Sequence, residues 1–136
     1  MQVREFRMTD YEAVVALWRA AGLHLNPSDD PAAIRHKLER DPDLFLVGFE
    51  QGVLVGAIIG AYDGRRGWIY HLAIRPGAQG RGLGASLLSQ VEERLRRKGC
   101  RKVNLMITPE NASVQGFYER LEYRRDDLIF MEKWLP

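Results

Sequence analysis

The stretch Gln79-Gly80-Arg81-Gly82-Leu83-Gly84 constrains this chain more than any other. It follows an apolar, strand-like run from Trp68 to Ile74. It opens a helical run from Leu83 to Lys98, in which Leu87, Leu88, Val91 and Leu95 recur on one face. Three glycines in five positions leave the backbone bare at a strand-to-helix junction. The N–H groups of the first helical turn, with the positive end of the helix dipole, make an anion site suited to phosphate. Gln79 and Arg81 place polar and cationic donors beside it. The segment therefore asks for a βα unit and a phosphate-bearing ligand. Gly80-x-Gly82-x-x-Ala85 also satisfies the dinucleotide fingerprint, but that pattern wants its glycines directly after the strand and an acidic residue about 20 positions on. Here five residues intervene after Ile74, and Asn104 to Pro109 holds no Asp or Glu.

The flanking elements fit around that unit. Val3 to Arg7 reads as a first strand. Thr9-Asp10-Tyr11-Glu12 matches a capping box ahead of a helix carrying Val14, Leu17, Trp18 and Ala21 and closed by Gly22. Asp30-Pro31 starts a second helix, with Ile34 and Leu38 inward. Leu44 to Glu50 and Val53 to Tyr62 are strands joined at Gln51-Gly52. Lys102 to Ile107 follows as a strand, then a helix with Val114, Phe117 and Leu121 inward, and a last strand from Asp127 to Leu135. Hairpins early and βα units later predict an α/β fold with a mixed sheet and helices on both faces.

At 136 residues, with no linker or repeat, the chain reads as a single domain, 1–136. Its net charge of +2 does not by itself ask for nucleic acid, and none is expected as a partner. The basic group Arg94, Arg96, Arg97 and Lys98 ends a helix, where cations complement the dipole. The single cysteine, Cys100, precludes an internal disulfide framework and fits a reducing compartment. No apolar run approaches the roughly 18 residues of a membrane span, so no membrane partner is expected. The segment Met1 to Phe6 has no signal-peptide core, and a cytoplasmic location is expected. No Cys/His cluster asks for a metal.

Several pieces together resemble the GNAT superfamily of N-acetyltransferases. Gln79, Gly82 and Gly84 match its pyrophosphate loop, and Tyr70-His71-Leu72-Ala73-Ile74-Arg75-Pro76 is similar to its fourth strand. Asn111-Ala112-Ser113-Val114-Gln115-Gly116-Phe117-Tyr118 resembles its Asn-containing helix with the Phe-Tyr pair. The text looks closest to small bacterial members of the YpeA type. The resemblance implies a mostly antiparallel sheet with a splay between strands 4 and 5. It implies acetyl-CoA as cosubstrate, bound by Gln79, Gly80, Arg81, Gly82, Leu83 and Gly84. The pantetheine arm would pair along Leu72, Ala73 and Ile74, with Asn111 as a further contact or a helix cap. The implied reaction is direct attack of a primary amine on the thioester in a ternary complex, with Tyr118 as general acid. A phenol near pKa ~10 is well matched to a thiol near ~8.5.

Two departures stand out. Leu121-Glu122-Tyr123 replaces the family's glycine, so a residue with a Cβ must hold the helix exit, at about 1 kcal/mol if its φ is positive. The family's fourth-strand glutamate is absent, Trp68 and Tyr70 standing there, and the fifth strand offers only Met106. His71 is the only histidine near the expected cleft and one candidate base, with a water relay to the amine as an equal alternative. Alternation puts it on the face of the sheet opposite Tyr70 and Leu72, where a satisfied structural histidine is the competing reading. Glu50, Asp63 and Glu110 are other titratable candidates. The alternative function is a non-catalytic acyl-CoA binding module on the same fold. Small-molecule and protein amines are both open as acceptors, and a homodimer through Trp134 or the last strand is the assembly expected.

Overall fold

Five strands form one sheet in the order β1-β2-β3-β4-β5 in the computed structural model, which describes all 136 residues. They are β1 (Gln2–Glu5), β2 (Phe45–Glu50), β3 (Val53–Tyr62), β4 (Gly67–Ile74) and β5 (Val103–Leu105). The first four pair antiparallel, and β5 runs parallel to β4. The helices are α1 (Tyr11–Ala20), α2 (Pro31–Arg40), α3 (Leu83–Arg97) and α4 (Gln115–Arg120). The parallel β4–β5 pair is bridged by α3, as parallel strands require a crossover connection.

Alternation along the strands divides the core into two layers. On one face Phe45, Val47, Ala57, Ile59 and Ala73 pack with Val14, Leu17 and Trp18 of α1 and Ile34 of α2. Phe6 stacks on Phe45 with ring centroids 4.1 Å apart. On the other face lie Leu44, Leu46 and Ile58, with Leu87, Leu88, Val91 and Leu95 of α3. Gly56 and Gly60 let α3 approach there. A Cβ on Gly60 would stand 2.5 Å from Val91 Cγ1, and one on Gly56 would stand 2.8 Å from Leu87 Cδ1. Each fully buried Val, Leu, Ile or Phe contributes about 1.5–3 kcal/mol, so these two layers are the main source of stability.

Residues Met1–Met106 make one compact unit, containing the whole sheet, and Ile107–Pro136 a second. In the second, a 3₁₀ segment (Pro109–Val114) leads into α4. Phe117 and Tyr123 both pack edge-on against Tyr118, at 5.0 and 5.7 Å. Glu122 has φ +72, so the left-handed helix exit that the missing glycine implied is present and is borne by a glutamate.

Two expectations are corrected. Asp127 to Leu135 is not a strand: no regular structure is assigned there, and Leu128, Ile129, Met131 and Leu135 are almost fully exposed. An extended run becomes a strand only by pairing, and Ile107–Pro136 contains no other strand. The cap of α1 is also displaced. Asp10, not Thr9, stands at the N-cap of α1, but its side chain caps no N–H of that helix: its carboxylate turns back to accept from the Arg7 N–H at 2.8 Å, closing the preceding 3₁₀ turn (Met8–Asp10), and from both Arg4 guanidinium nitrogens at 2.8 and 2.9 Å. The Arg4 guanidinium holds the Asp10 carboxyl below its usual range.

Candidate active site

The glycine loop before α3 has the tight, side-chain-free backbone that its glycines suggested. Gly80 and Gly82 both sit at φ +79, in the left-handed region that disfavours any side chain. Gly82 is the N-cap of α3 and no side chain caps the helix. A Cβ at either glycine would meet nothing within 4 Å. The first turn of α3, at Leu83 and Gly84, therefore presents bare N–H groups beside open space, the donor set a pyrophosphate needs. Gln79 and Arg81 are engaged elsewhere. Gln79 Nε2 donates to the Ile74 carbonyl at 3.2 Å. Arg81 makes a bidentate pair with Glu50 at 2.9 and 2.7 Å, which holds the Glu50 carboxyl below its usual range. Beside the loop, a cleft of about 810 Å³ is lined by Phe49, Glu50, Val55, Arg75, Ala78 and Arg81.

β4 leads into this loop, and its two halves differ. Gly67, Trp68 and Ile69 pair with β3 on one side and with Val103, Asn104 and Leu105 of β5 on the other. From Tyr70 to Ile74 no β5 residue is in register. The Arg75 N–H bonds the Val55 carbonyl at 2.8 Å, so by alternation Ala73 also bonds toward β3. Leu72 and Ile74 turn their backbone groups to the open edge, where an extended ligand can add as a strand does, although the Ile74 carbonyl already accepts from Gln79 Nε2. Of the three residues expected to carry the pantetheine, the geometry thus suits Leu72 and Ile74, and Ala73 is committed to β3.

The same strand holds a bulge that the sequence conceals. Ala57 pairs with Ala73 and Ile59 with Tyr70, so Ile58 alone opposes both His71 and Leu72. His71 takes up the extra residue at φ +47. Tyr70, paired with Ile59, lies on the α1 face of the sheet, and the bulge brings His71 to that face as well. The expectation that His71 and Tyr70 face opposite sides is therefore wrong: alternation holds only where the ladder is regular. His71 packs against Trp18, with ring centroids 4.8 Å apart, and its Nε2 lies 2.8 Å from Asp29 Oδ1. Its side chain keeps 19% of its surface exposed. Asp29 was not anticipated as a site residue. The Asn26-x-x-Asp29 spacing marks it as a capping residue, and its Oδ2 does accept the Asn26 N–H at 3.1 Å. Nothing in the spacing announces a contact with position 71.

In the second unit, Tyr118 is half-buried, and desolvation pushes its phenol up to about 12. That value holds the proton through neutral pH. It also widens the gap to a thiol near ~8.5, so the close match expected from the unperturbed values does not hold. Asn111 is not the cap of α4. It lies at a kink inside the 3₁₀ segment (φ −109), Thr108 is the N-cap of that segment, and Val114 precedes α4. No group of three or more His, Cys, Asp or Glu side chains is arranged to hold a metal ion. No helix is long and apolar enough to cross a membrane.

Comparison with known proteins agrees with this picture. The acetyltransferase (GNAT) family model matches residues 5–123. An acetyltransferase of Pectobacterium atrosepticum is 45% identical over 136 residues, covering 99% of this chain and 96% of that protein. One from Yersinia enterocolitica is 42% identical with the same coverage. Among solved structures, Ard1 from Thermoplasma volcanium superposes with a TM-score of 0.78 at 23% identity, over 88% of this chain and 80% of that one. A PaiA N-acetyltransferase from Thermoplasma acidophilum, solved in complex with coenzyme A, gives 0.78 at 18% identity, over 94% and 92%. These two share the fold: a mixed sheet with a parallel β4–β5 pair, flanked by helices. With its phosphate loop uncapped and its fourth strand open toward β5, the chain belongs to the GNAT family of acetyltransferases.

Proposed function

We propose that this protein transfers the acetyl group of acetyl-CoA to a primary amine by direct attack in a ternary complex. The observation that carries this reading is the open edge of β4 at Leu72 and Ile74, running straight into the bare N-terminus of α3 at Gly82. That arrangement supplies, in chain order, backbone partners for an extended amide-bearing arm and N–H donors for its pyrophosphate. When bound, acetyl-CoA supplies a thioester carbonyl for an amine to attack. Backbone N–H groups at the open edge are the donors available to a developing oxyanion. The resemblance assigns the proton for the departing thiolate to Tyr118. Its high pKa means that the phenol is fully protonated at the start of each turnover and gives up its proton only as the thiolate forms.

Isothermal titration with acetyl-CoA tests the first half of this reading, with micromolar-range affinity expected, about −8 kcal/mol. The second half needs an acceptor panel of spermidine, free lysine and an alanine-led tetrapeptide, read by release of the coenzyme A thiol. Tyr118→Phe should lower kcat by about 10- to 100-fold with KM for acetyl-CoA unchanged. Binding without turnover of any amine would favour a non-catalytic acyl-CoA module instead.

A further inference from the structure

We propose that His71 is the general base of this reaction and that Asp29 is the residue that positions it, an inference that rests on the acetyl-transfer reading above. Two linked backbone irregularities and one irregularity of a packing neighbour converge on His71. Its backbone is held at φ +47, a conformation that strains a non-glycine residue and persists only where surrounding structure imposes it. It occupies a β-bulge, a device that re-aims a side chain. Beside its ring, the indole Nε1 of fully buried Trp18 has no hydrogen-bond partner.

The partner is built with equal care. Asp29 is 6% exposed, and each of its carboxylate oxygens is assigned. Oδ2 accepts the Asn26 N–H at 3.1 Å and Oδ1 faces His71 Nε2 at 2.8 Å. The Tyr11 hydroxyl donates to the Asp29 backbone carbonyl at 2.7 Å and pins that turn to α1. A carboxylate can only accept, so in the neutral ring this contact puts the proton on Nε2 and leaves the lone pair on Nδ1, the tautomer the proposal requires. Position completes the case. The β4–β5 pairing ends at Ile69, and Leu72 is the first residue whose backbone faces the open edge beyond the bulge. His71 therefore stands at the apex of the splay, at the end of the edge farthest from the phosphate loop. An arm anchored at Gly82 and running back along Ile74 and Leu72 presents its acyl end there.

In the step so assigned, the amine nitrogen forms its bond to the thioester carbonyl carbon, and His71 Nδ1 takes one proton from that nitrogen. The carbon–sulfur bond breaks and the thiolate takes a proton from Tyr118. The imidazolium, held against the Asp29 carboxylate, then releases its proton to solvent, and the tyrosinate is reprotonated from solvent. The balance is amine plus acetyl-CoA to amide plus coenzyme A.

His71→Asn is the decisive variant, because asparagine tolerates positive φ and has no basic nitrogen. With the fastest acceptor of the panel, it should lower kcat about 100-fold or more while KM for acetyl-CoA and its calorimetric affinity stay within about twofold. Asp29→Asn should lower kcat about tenfold or more with the same unchanged affinity, because an amide can donate to Nε2 and move the ring proton to Nδ1. A second readout needs no turnover. In the ¹⁵N-histidine spectrum of the wild type, His71 should show Nε2 protonated and Nδ1 bare, and Asp29→Asn should reverse that pattern. A His71→Asn variant that binds acetyl-CoA and keeps kcat within about threefold overturns the proposal, as does a wild-type ring protonated on Nδ1. Wild type that binds no acetyl-CoA fails at the earlier step and removes the acetyl-transfer reading itself.

Discussion

The two halves of β4 make the most instructive comparison in this molecule. Both share one strand and one neighbour, β3, yet Gly67–Ile69 is clasped on both edges while Tyr70–Ile74 is clasped on one. In the closed half the packing leaves no slack. A Cβ on Gly67 would stand 3.0 Å from both Cys100 Sγ and Leu95 Cδ1. In the open half the strand bulges, takes a positive φ at His71, turns Leu72 and Ile74 to an edge without a partner, and ends in a loop whose glycines face empty space. Regularity serves the core, and irregularity concentrates where the proposed acetyl-CoA arm would take the place of the missing strand. Unpaired backbone groups have to be satisfied by something, so an open edge inside a sheet is a statement about binding as much as about folding.

If this division is real, substitutions in the two halves should separate binding from stability. The largest effect is expected for Gly82→Trp. It should weaken acetyl-CoA binding more than about 100-fold, roughly 3 kcal/mol by calorimetry, while adding only about 1 kcal/mol of backbone strain in denaturant melts. Gly67→Val should do the reverse. Overpacking against Leu95 and Cys100 should cost about 1–3 kcal/mol of stability in urea titration, with the acetyl-CoA affinity unchanged. A loss of binding in Gly67→Val would dissolve the distinction.

A third experiment sharpens the stability side away from β4. The folded-state pKa of Asp10 is lowered by its hydrogen bonds to Arg4 and the Arg7 N–H. Its contribution is therefore complete above its unfolded value near 3.8 and is lost as pH falls through the depressed value. Asp10→Asn should cost about 1–2 kcal/mol near neutral pH and flatten the fall in melting temperature below about pH 4, with no effect on acetyl-CoA affinity. The smallest effect concerns Glu50, which occupies the Arg81 guanidinium. Glu50→Ala should release that cation toward a phosphate and tighten acetyl-CoA binding by about two- to fivefold at low salt, the scale of an exposed ion pair. Weaker binding would mean that the Glu50–Arg81 pair organises the loop.

Much of this was legible in the sequence because it depends on local signals. The β3 bounds, the buried Leu87, Leu88, Val91 and Leu95 of α3, and the turn of glycines that opens that helix follow from periodicity and glycine placement. Even the strained exit at Glu122 was visible, as a side chain standing where the family has glycine. What could not be read depends on distant partners. The bulge at His71 arises from its register against β3, and alternation within one strand assigned it the wrong face relative to Tyr70. Asp29 meets a residue 42 positions away. Arg81 looked like a phosphate donor until its partner 31 positions upstream was in view. The apolar run Leu128 to Leu135 has strand composition, but composition names no partner.

The most direct test of the open edge is residue-resolved amide exchange on β4 with and without acetyl-CoA. The account predicts new protection at Leu72 and Ile74, whose backbone groups face the open edge, and no change at Ala73 or at Gly67 to Ile69, which are already paired. Binding that leaves Leu72 and Ile74 exchanging as in the free protein would contradict it.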